Sequence, residues 1–246
     1  MSGPNPLKIS GIVAVVTGAN RGIGRAFVEE LLAQGASRVY AAARKLSDLE
    51  SVVALDPSRV KPIELDVTNP SQVLEAASKA SDAHLLINNA GALSFGSLLD
   101  APFDGVRRDM EVNYFGTLAV SRAFAPVLER NRGGLVNVLS VVSLASMPGI
   151  GGYNASKAAG WSLTQSLRGD LSKRGVAVFS VYPGPIDTDM AKEFPMAKTP
   201  PRDVAREVLE GVEAGAEDIF PDPMSKQVYA AWAADHKAVE RQFAAM

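Results

Sequence analysis

Tyr153 and Lys157 stand four residues apart in the run Tyr153-Asn154-Ala155-Ser156-Lys157. Residues at that spacing share one face of a helix, so the phenol and the ammonium can serve one site. A free tyrosine ionises at about pH 10 and is a sluggish acid or base at neutral pH. An ammonium about 5 Å away, at an effective dielectric of about 20, stabilises the phenolate by roughly 3 kcal/mol, enough to bring it towards neutrality. Thirteen residues before Tyr153, Ser140 closes an apolar run and can donate a hydrogen bond to a carbonyl oxygen. Asn113, 27 residues before Ser140, falls within helical spacing. Asparagine competes there for backbone hydrogen bonds, so its use invites a functional reading. These groups suit proton transfer at a carbonyl or alcohol oxygen.

A second group is built to hold phosphate. Thr17-Gly18-Ala19-Asn20-Arg21-Gly22-Ile23-Gly24 follows an apolar run and opens directly into a helical pattern. A strand-to-helix turn leaves unpaired amides at the positive end of the helix dipole, where a pyrophosphate is favoured. Glycines there permit positive φ and let phosphates approach the backbone. The spacing is Gly-x-x-x-Gly-x-Gly rather than the commoner Gly-x-Gly-x-x-Gly. One strand further on, where NAD-binding proteins place an acid, the sequence reads Ala43-Arg44-Lys45. A guanidinium binds a 2′-phosphate through paired hydrogen bonds, and Arg21 can converge on the same group. The expectation is NADP(H); the alternative is that both arginines are ordinary solvated bases.

The elements that must position these residues alternate regularly. Seven apolar runs suit strands buried on both faces: Ile12–Val16, Arg38–Ala42, Val60–Leu65, Leu85–Asn88, Leu135–Leu139, Val176–Val181 and Asp218–Phe220. Helical patterns separate them, with Gly35 as a stop and Asn69-Pro70-Ser71 and Pro200-Pro201 as starts. Strict β–α alternation predicts one doubly wound α/β domain, a parallel sheet of about seven strands with helices on both faces. It spans residues 9–246, with residues 1–8 flexible and a helical tail from about Ser225. Ligands of such sheets bind at the carboxyl edge, where Asn88-Asn89-Ala90-Gly91 also lies.

Composition narrows the chemistry. The 246 residues include no cysteine and two histidines, His84 and His236, which excludes thiolate, iron–sulfur and zinc-finger chemistry and a His-rich metal site. No metal is expected. With 25 basic and 27 acidic residues the net charge is −2, and no basic run marks a nucleic-acid or membrane partner. Apolar runs of about six residues fall far short of the roughly 20 that span a bilayer. With no signal-peptide pattern at the N-terminus, a cytoplasmic protein acting on a small molecule is expected.

From about residue 9 to 220 the chain resembles the short-chain dehydrogenases/reductases. The resemblance rests on Thr17 to Gly24, Asn88 to Gly91, Asn113, Ser140 with Tyr153 and Lys157, and Pro183-Gly184 followed by Thr188. It implies a Rossmann-type sheet and a carbonyl-reductase-like activity, reducing a ketone or aldehyde to an alcohol or the reverse. Tyr153 would be the general acid or base, Lys157 would bind the nicotinamide ribose and lower the tyrosine pKa, Ser140 would orient the carbonyl, and Asn113 would hold a relay water. Gly18, Asn20, Arg21, Gly22, Ile23 and Gly24 would cradle the cofactor, with Arg44 at its 2′-phosphate. Asp66 and Val67 would touch the adenine, Asn88, Ala90 and Gly91 would line the groove, Pro183 and Gly184 would also meet the cofactor, and Ile186 and Thr188 would hold the carboxamide. Leu139 and Ser143 depart from the common serine and glycine, with Ser143 a candidate pocket hydroxyl. The resemblance also favours a homo-oligomer, dimer or tetramer, with Trp161 at a subunit interface rather than packed within the monomer. The alternative function is a non-catalytic NADP(H)-binding regulator on the same fold.

Overall fold

The structure is a computed structural model that describes residues 6–246. Its elements in chain order are β1 (Val13–Thr17), α1 (Gly22–Ala33), β2 (Arg38–Ala43), a short α2 (Glu50–Val53), β3 (Val60–Glu64), α3 (Pro70–Lys79), β4 (Leu85–Asn88), α4 (Phe103–Met110), α5 (Thr117–Arg130), β5 (Gly134–Val138), α6 (Gly151–Ser172), β6 (Ala177–Val181), α7 (Pro201–Ala214), β7 (Asp218–Ile219), α8 (Pro223–Ala234) and α9 (His236–Ala244). A π-helical turn, Glu111–Gly116, fuses α4 to α5.

The seven strands form one parallel sheet in the order β3-β2-β1-β4-β5-β6-β7. The expected strands are all present, with no end displaced by more than one residue. Side chains alternate across each strand, which is why apolar runs can serve two cores at once. Ala14 and Val16, Leu85 and Ile87, and Val136 and Val138 enter a core shared with Phe27 and Leu31 of α1 and with Val204, Val208 and Leu209 of α7. Val15, Leu86, Leu135 and Val178 enter the opposite core, with Ala76 of α3 and Phe124 and Leu128 of α5. A third cluster joins Val141, Val142 and Ile150, ahead of α6, to Val228, Val239 and Phe243 of the tail.

Local signals set the boundaries. The Asn69 side chain caps α3 by accepting from the Ser71 and Gln72 amides, with Pro70 at the first helical position. Gly35 takes φ +85° just beyond α1. The helical tail begins at Pro223, capped by Asp222, two residues before the expected start. Of the span expected to be flexible, residues 1–5 lie outside the described residues. Leu7 packs against the first core, its amide donating to the Val212 carbonyl at 3.4 Å, and Ile9 is buried. Leu7, within the span expected to be flexible, thus finds cover on the first core beside α7. Among the described residues no helix is long and apolar enough to cross a membrane.

Candidate active site

In the order β3-β2-β1-β4 the strand order reverses between β1 and β4, the point at which sheets of this kind open a crevice at their carboxyl ends. Thr17, the last residue of β1, stitches this point together. Its hydroxyl accepts from the Asn89 and Ala90 amides, both at 3.0 Å. The Asn89 side-chain amide donates back to the Thr17 and Gly18 carbonyls at 2.9 and 3.2 Å. Gly18 has φ +64°, and a β-carbon on it would lie 3.0 Å from the Ala90 α-carbon. Gly22 has φ +54° and lies against the Thr188 methyl group, while a β-carbon on Gly24 would overlap the Gly18 carbonyl. The three glycines therefore compress the turn and aim the first amides of α1, which has no side-chain cap, at the crevice.

Other predicted contacts fall around this turn to different degrees. Asn20 and Ile23 are half-buried in it, and Arg44 is exposed just past β2. The Arg21 guanidinium pairs with Asp189 at 2.7 Å, tying the glycine turn to the loop after β6. Both side chains are largely exposed, and such a pair contributes at most about 1 kcal/mol, so Arg21 can exchange partners. Asp66 folds over an Asx-type turn, accepting from the Thr68 amide and hydroxyl, and Val67 packs on Gly116. Asn88 is buried with its side-chain amide committed to Ser121 and Asn137 at 3.0 and 2.9 Å. Its side chain holds the crevice floor together; Asn89, absent from the predicted contacts, makes the bonds to the glycine turn. The Gly184 amide, after Pro183, donates to Asp222 at 2.8 Å, and the Ile186 side chain lies in the core.

Tyr153 and Lys157 lie on the first turns of α6, which begins at Gly151, two residues before the expected start. The Lys157 ammonium sits 5.6 Å from the centre of the Tyr153 ring and donates to the Val138 carbonyl at 2.8 Å. Ser140 caps the turn after β5; its hydroxyl lies within hydrogen-bonding range of the Tyr153 phenol and makes long contacts of 3.4 Å, donating to the Pro183 carbonyl and accepting from the Val142 amide. Weak bonds of that length leave it able to turn onto a ligand oxygen. Asn113 occupies the π turn, a distortion that recurs at functional sites. Its side chain accepts from the Ala92 amide, and donates to the Ala92 carbonyl and the Ser156 hydroxyl, all at 2.8 Å. The Asn113 side-chain amide is thus consumed in locking the 88–94 segment to α6.

The electrostatics correct one expectation. Burial pushes Tyr153 up to about 12, against the Ser140 hydroxyl, which pulls it down, and with Asp109 adding to the rise. Burial also lowers Lys157 to about 8. Desolvation is the largest cause in each case, since burial disfavours both the phenolate and the ammonium. In the protein alone Tyr153 is held in its acid form. Sequence reasoning missed Asp109 altogether; its signal was an acid four residues before Asn113, on the face that Asn113 turns inward. Ser143 is buried and its hydroxyl finds no partner among the described residues.

A sequence profile described as short chain dehydrogenase matches residues 12–198. The chain is 33% identical over 195 residues to a 3-alpha-(or 20-beta)-hydroxysteroid dehydrogenase of Mycobacterium tuberculosis, covering 76% of this chain and 74% of the relative. It is 35% identical over 206 residues to an uncharacterized oxidoreductase of Staphylococcus aureus, covering 80% and 89%. Among solved structures, a short chain dehydrogenase from Burkholderia cenocepacia in complex with NADP superposes with a TM-score of 0.91 at 42% identity, covering 96% of this chain and 99% of that one. A short chain dehydrogenase/reductase from Burkholderia phymatum in complex with NAD superposes with a TM-score of 0.85 at 28% identity, covering 96% of each.

Proposed function

The chain belongs to the short-chain dehydrogenase family, and on that footing we propose that it is an NADP(H)-dependent oxidoreductase that interconverts a ketone or aldehyde and its alcohol. The observation that carries this reading is the meeting of Ser140, Tyr153 and Lys157 at the carboxyl edge of the sheet, beside the glycine turn. The turn fits a dinucleotide: its Gly18 and Gly22 conformations and the uncapped start of α1 offer amides to a pyrophosphate. Arg44, with no acid at the end of β2, supports a 2′-phosphate, as does the NADP in the relative from Burkholderia cenocepacia.

When bound, the nicotinamide supplies the hydride. The residues of the chain supply position and the proton. Ser140 turns its hydroxyl from Pro183 onto the carbonyl oxygen, and Tyr153 donates its phenolic proton to that oxygen as negative charge develops. Lys157 holds the ribose hydroxyls and its charge eases departure of the tyrosine proton. Asn113 acts on this chemistry by fixing Ala92 and Ser156 around the site.

The walls around Tyr153 favour an apolar substrate. Leu93, Met147, Ile150 and Phe194 join its cluster, and Phe194 meets Phe95 at 5.6 Å between ring centres. Tyr153→Phe should lower turnover by about 10²- to 10⁴-fold while leaving NADPH affinity within a few-fold. NADPH oxidation across a panel of apolar ketones, diketones and aldehydes checks both. NADPH binding without turnover on any of them would select the regulator instead.

A further inference from the structure

Arg21, offered to a 2′-phosphate by its place in the glycine turn, is already committed elsewhere. It is the N-cap residue of α1, and its Nη1 donates to Asp189 Oδ2 at 2.7 Å. Arg44, the other guanidinium offered to that phosphate, is exposed just past β2, whereas Asp189 lies in the loop after β6. In the sheet β2 neighbours β1 on one side, and β6 lies three strands away on the other. Pairing with Asp189 therefore draws Arg21 towards the β6 side of the turn it sits in, away from Arg44.

The fold delivers the Asp189 carboxylate to this place through contacts other than the ion pair. The loop after β6 is closed at its base, where the Asp187 amide donates to the Thr199 carbonyl and the Thr199 amide to the Pro185 carbonyl, both at 3.0 Å. Thr188, its hydroxyl donating to the Ile186 carbonyl at 3.3 Å, turns its methyl group onto the glycine turn, 3.1 Å from where a β-carbon on Gly22 would stand. Asp189 comes next and opens a short helical turn, Asp189–Ala191. Among the described residues neither Arg21 nor Asp189 forms a second ion pair. A phosphate offers a guanidinium the same paired hydrogen bonds as a carboxylate, so a 2′-phosphate and Asp189 compete for one partner. A dinucleotide that lacks the 2′-phosphate does not ask Arg21 to leave, and its binding bears no such cost.

We propose that Asp189 is a positioning residue for cofactor selection: by holding Arg21 on the β6 side of the glycine turn, it weakens the site for a 2′-phosphate and narrows the preference for NADP(H) over NAD(H). This rests on the dinucleotide binding proposed above. Isothermal titration calorimetry of the purified chain with NADPH and with NADH tests it without any carbonyl substrate. In Asp189→Asn the ratio of NADPH affinity to NADH affinity should rise by about two- to fivefold, the worth of an exposed ion pair. Asp189→Glu, which keeps the charge, should keep the wild-type ratio. Arg21→Ala should lower the ratio, and adding Asp189→Asn to it should change the ratio no further. An unmoved ratio in Asp189→Asn overturns the proposal. So does an equal gain for both cofactors, which would assign the effect to general repulsion of the pyrophosphate, and so does a full gain in the Arg21→Ala background. A chain that binds neither dinucleotide fails the proposed function and this assignment together. One that binds both with an unmoved ratio fails this assignment alone, and one that prefers NADH yet shows the gain loses the NADP(H) reading and keeps it.

Discussion

At the scale of residues, burial shifts the two protons of the site in opposite directions, holding that of Tyr153 more tightly and that of Lys157 less tightly than in the free amino acids. Tyr153, pushed up to about 12, enters a reduction already charged with its proton, and Lys157, lowered to about 8, is the first of the pair to lose one as pH rises. Reduction needs both groups protonated, so its rate should decline above about pH 8, and a pH profile of NADPH-dependent kcat measures this directly. Asp109 carries an opposite message for stability. Its folded pKa is raised by burial, so ionisation opposes folding; that penalty is present above the folded pKa and relieved as pH falls through it. Melting temperatures of wild type and Asp109→Asn should therefore differ in favour of the variant at neutral pH and converge as the medium is acidified. Arg44 is legible without a structure, since it follows β2 where an acid would stand in an NAD site. Arg44→Ala should reduce kcat/KM for NADPH by about 10- to 100-fold and leave NADH nearly untouched, as loss of a charge-assisted bond implies.

At the scale of elements, the tight crossing is between the glycine turn and the end of β4. Gly24→Ala sets a methyl group into the Gly18 carbonyl and against the Asn89 amide. Backbone has little room to yield there, so the variant should lose roughly 1–3 kcal/mol of stability and bind NADPH poorly, as chemical denaturation and cofactor titration would register. The glycine spacing announced a phosphate-binding turn, but it said nothing of Thr17 and Asn89, whose bonds span 72 residues of sequence. The π turn was equally hidden. Residues 111–116 read as ordinary helix because the apolar spacing barely changes, whereas the extra residue swings Asn113 onto Ala92 and Ser156.

At the scale of the whole molecule, the tail completes the site's surroundings. Asp222, which caps α8, also accepts the Gly184 amide, and Val228, Val239 and Phe243 cover the segment between Ser140 and α6. Trp161 lies edge-on to Trp232 of α8 with ring centres 5.9 Å apart, so it has a partner inside the monomer. Among the apolar side chains left exposed, Phe103 on α4 and Phe115 on the π turn offer another footing for the homo-oligomer that the resemblance favours. Light scattering at micromolar concentration should give a multiple of the 25.9 kDa chain mass, and a double Phe103→Ser, Phe115→Ser variant should lower it.

The sequence by itself determined the periodicities and the inventory of side chains: seven strands, the order in which helices follow them, the glycine turn after the first strand, and the four residues proposed to act at a carbonyl oxygen. These are local properties, written in spacing and in the pKa and hydrogen-bonding repertoire of single side chains. Tertiary structure alone decided what those side chains do. Burial reversed the expected drift of Tyr153, committed the Asn88 and Asn113 amides to the protein, and brought Asp109 under the first turn of α6, because desolvation and cross-chain contact depend on which distant residues the sheet order brings together.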